Sequence, residues 1–166
     1  MRRTLLISVP LIALLAACAT RPASTGPSPS PPAPLPTAAP RPTLASEQLR
    51  LSELFRGTPV AFALQQDGSL RATVPRRYCF DPGAAKVKPP LAAVLDRLAK
   101  SQRHAVSRMR VNTPSDPEVR GTSLSRERAL SARDYLMGQG IVATRVQASG
   151  GAQVEQVEIV IVDAAP

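Results

Sequence analysis

The sequence predicts an α+β two-layer sandwich, ordered β-α-β-α-β(-β) behind a short helix and a hairpin. Three observations point there. Segments 89–101 and 124–138 repeat apolar residues at helical spacing. Segments 105–111 and 154–162 alternate apolar and polar residues, as half-buried strands do. Aromatic residues make up only 3% of the chain and tryptophan is absent, so the core must be aliphatic.

The first 44 residues stand apart from that pattern. Arg2 and Arg3 precede an apolar run, Leu5 to Leu15, followed by Ala16 and Ala17. This is the architecture of a secretory signal, and the run is shorter than the ~20 residues of a spanning helix. Leu15-Ala16-Ala17-Cys18 resembles the bacterial lipobox, in which the cysteine is acylated and becomes the first residue of the mature chain. Acyl chains at ~0.8 kcal/mol per buried methylene give stable anchoring. Ala19 stands where such lipoproteins carry an inner-membrane retention aspartate, which implies the outer membrane. Residues 19–44 are a Pro/Ala/Ser/Thr tract holding nine of the 18 prolines. Such a segment neither pairs nor packs, and it would reach on the order of 80 Å as polyproline II or ~25–30 Å as a coil. The expected organisation is a signal peptide (1–17), a lipidated cysteine and linker (18–44), a helix-hairpin segment (45–75) and the main domain (76–166).

From Ala45 the elements follow in order. Leu49, Leu51, Leu54 and Phe55 make a short amphipathic helix over 46–56, with Ser46 as N-cap and Gly57 and Pro59 at its end. Val60–Gln65 and Leu70–Val74 flank Gln66-Asp67-Gly68, a hairpin signal. Pro89 and Pro90 suit the first turn of a helix with Leu91, Val94, Leu95 and Leu98 on one face. Ala105–Val111 reads as a strand, with Met109 and Val111 opposite Arg108 and Arg110. Residues 112–122, with two prolines, Asp116 and Gly121, read as a loop. In the second helix Ala129, Ala132, Leu136 and Met137 are expected inward, with Gly138 or Gly140 closing it. Val142–Ala148 is a short strand and Val154–Val162 the clearest strand in the chain.

Composition excludes several functions. One histidine and two cysteines argue against a zinc cluster or haem attachment, and no cofactor is implied. Five aromatics give no stacking platform for single-stranded nucleic acid. No serine occupies a G-x-S-x-G elbow, and His104 has only Arg103 and Ser107 nearby, so no enzyme is expected. The net charge of +9 falls to +7 without Arg2 and Arg3, and residues 45–166 hold 17 Lys/Arg against 12 Asp/Glu. A basic chain ordinarily suggests nucleic acid, but secretion leaves envelope polymers and lipid head groups as anionic partners. Cys79, alone once Cys18 is lipidated, is expected to be buried between Tyr78 and Phe80.

Three patches over roughly residues 70–162 resemble the OmpA-like C-terminal domain, a peptidoglycan-associating module of envelope proteins. Phe80–Ala99 is similar to that family's F-D-x-x-x-A-x-L-K-P stretch. Leu124–Ile141 is similar to L-S-x-x-R-A-x-x-V-x-x-Y-L-x-x-x-G-I, with Ala132 at the valine position. V-E-I-V-I-V, Val157–Val162, resembles the closing strand. The resemblance implies a loop aspartate and a helix arginine that together grip diaminopimelate of the stem peptide. A carboxylate takes the ligand's ammonium, a guanidinium fork its carboxylate, and the helix start offers free N–H groups. The arginine carries over to Arg128, and the helix start to Leu124 and Ser125. Counting back from Leu124 puts the aspartate position at Thr113, which has no carboxylate. Counting forward along M-R-V-N-T-P-S-D puts it at Asp116, with a loop three residues shorter. A turn role for Asp116 and a local pairing of Arg128 with Glu127 or Asp134 are the structural alternatives. The family's basic N-R-R before the last strand is here Val154-Glu155-Gln156, and the segment preceding it is trimmed to 148–152. The implied function is an outer-membrane lipoprotein that ties membrane to wall through peptidoglycan. The alternative is a degenerate domain that binds other envelope proteins.

Overall fold

The computed structural model describes residues 43–119, 122–151 and 155–163. The signal segment, Cys18 and the proline-rich tract lie outside these residues, as do Gly121 and Val154. Helix α1 (Leu44–Leu54) leads into strands β1 (Ala61–Leu64) and β2 (Leu70–Pro75). Then come α2 (Pro89–Gln102), β3 (Arg108–Pro114), α3 (Ser123–Gly138), β4 (Val146–Gly151) and β5 (Gln156–Val162). No helix among the described residues is long and apolar enough to cross a membrane.

The five strands form one sheet in the order β1-β2-β5-β3-β4. All neighbours are antiparallel except β3 and β4, which α3 joins as a parallel crossover. Period-two alternation then gives the sheet two unlike faces. Leu70, Ala72 and Val74 of β2 are buried with Met109 and Val111 of β3 and Val157, Ile159 and Ile161 of β5. The intervening Arg71, Arg110, Asn112 and Glu158 stay partly open. The buried face packs with Leu91, Val94, Leu95 and Leu98 of α2 and Ala132 and Leu136 of α3, giving the expected two layers. Each buried Leu, Ile or Val contributes roughly 1.5–3 kcal/mol relative to exposure.

Element ends shift where polar side chains intervene. Thr43, not Ser46, caps α1, accepting from the Ser46 N–H at 3.2 Å, so the helix begins at Leu44. The hairpin turns on Gly68, whose φ of +78° follows a Gln65 C=O to Gly68 N–H bond. Gln48 of α1 donates to the Phe62 carbonyl at 3.0 Å and so covers part of the β1 edge. The β3 strand starts later and runs further than its alternation suggested. Ser107 is held by Gln102 and by Arg145, whose guanidinium also reaches the Gln102 carbonyl at the end of α2. The same anchoring turns Ala143–Arg145 into a 3-10 helix and delays β4 to Val146. At the other end Asn112–Pro114 pair with Ser149–Gly151 and are strand, not loop. Met137 is 38% exposed, because it lies one residue off the Ala129, Ala132, Leu136 face. Cys79 is fully buried, and burial pushes its thiol up to about 12.

Candidate functional site

The C-terminal end of β3 brings the two motif patches together. Beyond Pro114 the chain turns at Ser115 and Asp116, while α3 aims Arg128 inward from its second turn. Arg128 Nη1 lies 2.9 Å from Asp116 Oδ1, and Nη2 donates to Oδ2 at 3.0 Å. The counting-forward register therefore places the carboxylate opposite the arginine. Thr113, the counting-back position, is buried and donates its hydroxyl to the Ser125 carbonyl at 2.5 Å.

The F-D-P-G turn closes over this pair. Gly83, at φ +69°, presents its N–H to Asp116 Oδ2 at 2.6 Å. Arg128 Nη2 also donates to the Asp81 carbonyl at 3.1 Å and Nε to the Ala84 carbonyl at 2.9 Å. Nη1 reaches the Pro114 carbonyl at 3.1 Å, and the Phe80 ring centre lies 5.1 Å from the guanidinium carbon. Arg128 is fully buried, and all three of its nitrogens meet protein oxygens. In this conformation it has no face open to a ligand. The hydrogen bond from Arg128 holds the Asp116 carboxyl below the usual carboxylate range; burial opposes this, and the Gly83 N–H and the charges of Arg128 and Arg76 reinforce it.

Asp116 keeps some capacity. Its Oδ2 accepts two donors, whereas Oδ1 has Arg128 close by and Arg76 Nη1 further off at 3.7 Å. A carboxylate oxygen has about two lone-pair sites, so Oδ1 is the oxygen able to accept another donor. Arg76 follows β2 in a 3-10 turn, donates from Nη1 to the Ser115 carbonyl at 3.0 Å, and remains about a third exposed.

Leu124 and Ser125 sit on the inner side of the α3 start. Both are buried, and the Ser125 hydroxyl donates to the Thr122 carbonyl. Gly150 of β4 lies against Ser125: a Cβ there would meet Ser125 Oγ at 2.5 Å and collide with the Arg126 backbone nitrogen. Ser125 thus fixes the start of α3 to the sheet, against Gly150 of β4 and through its carbonyl to Thr113 of β3. Thr122, the N-cap, makes no side-chain cap bond. Among the described residues no group of three or more His, Cys, Asp and Glu is placed to hold a metal. A cleft of about 390 Å³ lined by Asp96, Arg97, Lys100 and Arg103 involves the C-cap of α3, the far end from Arg128.

Sequence reasoning missed Arg76 and the backbone of Asp81, Gly83 and Ala84. The glycine in F-D-P-G was a readable signal for a turn. Arg76 carried none, because nothing local shows that β2 ends beside the β3 loop.

No protein-family model matches the chain, and no curated protein matches its sequence. Solved structures do. A MotB-like protein from Desulfovibrio vulgaris superposes with a TM-score of 0.60 at 18% identity, over 74% of this chain and 93% of that one. The fold is OmpA-like. The cell wall anchor of the T6SS from Pseudomonas aeruginosa superposes with a TM-score of 0.58 at 22% identity, over 75% of this chain and 100% of that one. So does the periplasmic domain of Helicobacter pylori MotB, residues 90–256, with 0.55 at 16% identity over 76% and 87%.

Proposed function

We propose that this chain is an outer-membrane lipoprotein whose OmpA-like domain binds peptidoglycan non-covalently and ties membrane to wall. One observation carries the reading: the only aspartate of the β3–α3 loop meets the arginine of the L-S-x-x-R-A patch, at 2.9 and 3.0 Å. In this reading Asp116 takes the ammonium of diaminopimelate, and Arg128 holds the Asp116 carboxylate in place. Leu124 and Ser125 seat the helix that carries Arg128. The similarity to a cell wall anchor supports the wall as partner. Lipidation at Cys18 supplies the membrane end, and residues 19–44 the reach between them.

A second reading has its own observation. Arg128 is fully buried, as expected if the pair were a structural lock in a domain that binds envelope proteins. Co-sedimentation separates the two. A soluble form beginning at Pro40 is mixed with sacculi carrying diaminopimelate, or with sacculi carrying lysine at the same position. Retention by the first alone supports stem-peptide recognition. Retention by neither favours the second reading, and equal retention by both would mean wall binding that does not use diaminopimelate.

A further inference from the structure

We infer that Arg76, not Arg128, is the cation that meets the carboxylate of the ligand held at Asp116. The inference rests on the peptidoglycan reading and specifies how that site works. A ligand centre carrying both an ammonium and a carboxylate needs an acceptor and a cation within one residue's span of each other. Arg128 does not qualify as the cation. Its nitrogens are engaged by Asp116 and by the carbonyls of Asp81, Ala84 and Pro114, and it is buried. To bind a ligand it would have to give up backbone acceptors that would themselves remain buried, which is costly.

Arg76 meets the requirements that Arg128 fails. Its Nη1 stands 3.7 Å from Asp116 Oδ1, the oxygen with spare acceptor capacity. One hydrogen bond to the Ser115 carbonyl fixes the guanidinium. Its Nε and Nη2 have no protein acceptor among the described residues, and the side chain is about a third exposed. Arg128 is then a positioning residue: it holds Asp116 and the F-D-P-G turn, while Asp116 Oδ1 and Arg76 face the ligand's ammonium and carboxylate.

The test is a binding titration with a diaminopimelate-containing muropeptide and with the same muropeptide amidated at the free D-centre carboxylate. Wild type and Arg76→Gln are compared, with thermal melts confirming that both are folded. Arg76→Gln should weaken binding of the free carboxylate about 10- to 100-fold, the range of one charge-assisted pair. Amidation should weaken wild type by a similar factor and leave Arg76→Gln nearly unchanged. Arg76→Lys should recover part of the affinity. If wild type binds and Arg76→Gln binds equally well, or amidation affects both alike, the assignment to Arg76 is wrong although the peptidoglycan reading stands. If wild type does not bind at all, both fail.

Discussion

Replacing Arg128 by leucine removes a buried cation and leaves its counter-ion behind. Asp116, 9% exposed, would keep only the Gly83 N–H and the distant Arg76 as partners. The carbonyls of Asp81, Ala84 and Pro114 would each lose a donor. Breaking a buried pair from one side costs about 3–5 kcal/mol. For a domain of this size each kcal/mol lowers Tm by roughly 3–6 °C. Arg128→Leu should therefore melt about 10–30 °C lower than wild type when followed by circular dichroism. Removing both charges tests the cause. Asp116→Leu with Arg128→Leu should regain only part of the loss: the uncompensated Asp116 charge is gone, while the three carbonyls still lack their donor and the Gly83 N–H loses its acceptor. A Tm for Arg128→Leu within about 3 °C of wild type would refute the reasoning. It would mean that the guanidinium is not the closed centre of the loop cluster.

Three further outcomes follow from the same contacts. Asp116 has a depressed folded pKa, so its contribution is complete above the ordinary carboxylate range and is lost as pH falls through the folded value. Denaturant titrations from pH 6 to pH 2 should show wild-type stability dropping below about pH 4, with a shallower drop in Asp116→Asn; equal slopes would count against the pair. Gly150→Ala drives a methyl into the start of α3 and should cost about 1–3 kcal/mol by overpacking; unchanged stability would mean that this contact is loose. Cys79, with its thiol pushed up to about 12, should resist thiol reagents at pH 8 in the native protein and react on unfolding. Native-state labelling at the unfolded rate would contradict its burial.

The layered fold was legible because its signals are periodic. Leu91, Val94, Leu95 and Leu98 mark a helix face wherever the helix lies, and Val157, Ile159 and Ile161 mark a strand face likewise. Element ends were less legible because they depend on distant partners. Nothing near Ser107 announces that Arg145, 38 residues on, will hold it out of β3. The site divides the same way. Arg128 stood out by its motif and Asp116 by register along β3, but a motif specifies residue type and not which donors remain free. That Arg128 is spent on three backbone carbonyls depends on how the 81–84 turn folds over it, a contact 44 residues apart at Ala84. Arg76 became visible only when the sheet order brought β2 and β3 to either side of β5.

The most direct measurement is amide chemical-shift mapping of the soluble domain during titration with the diaminopimelate muropeptide. Saturable shifts are expected at Arg76, Gly83, Ser115 and Asp116, with little change at Arg97, Lys100 and Gln139 at the far end of the helices. Shifts confined to that far end, or none at saturating muropeptide, would contradict the Asp116 site.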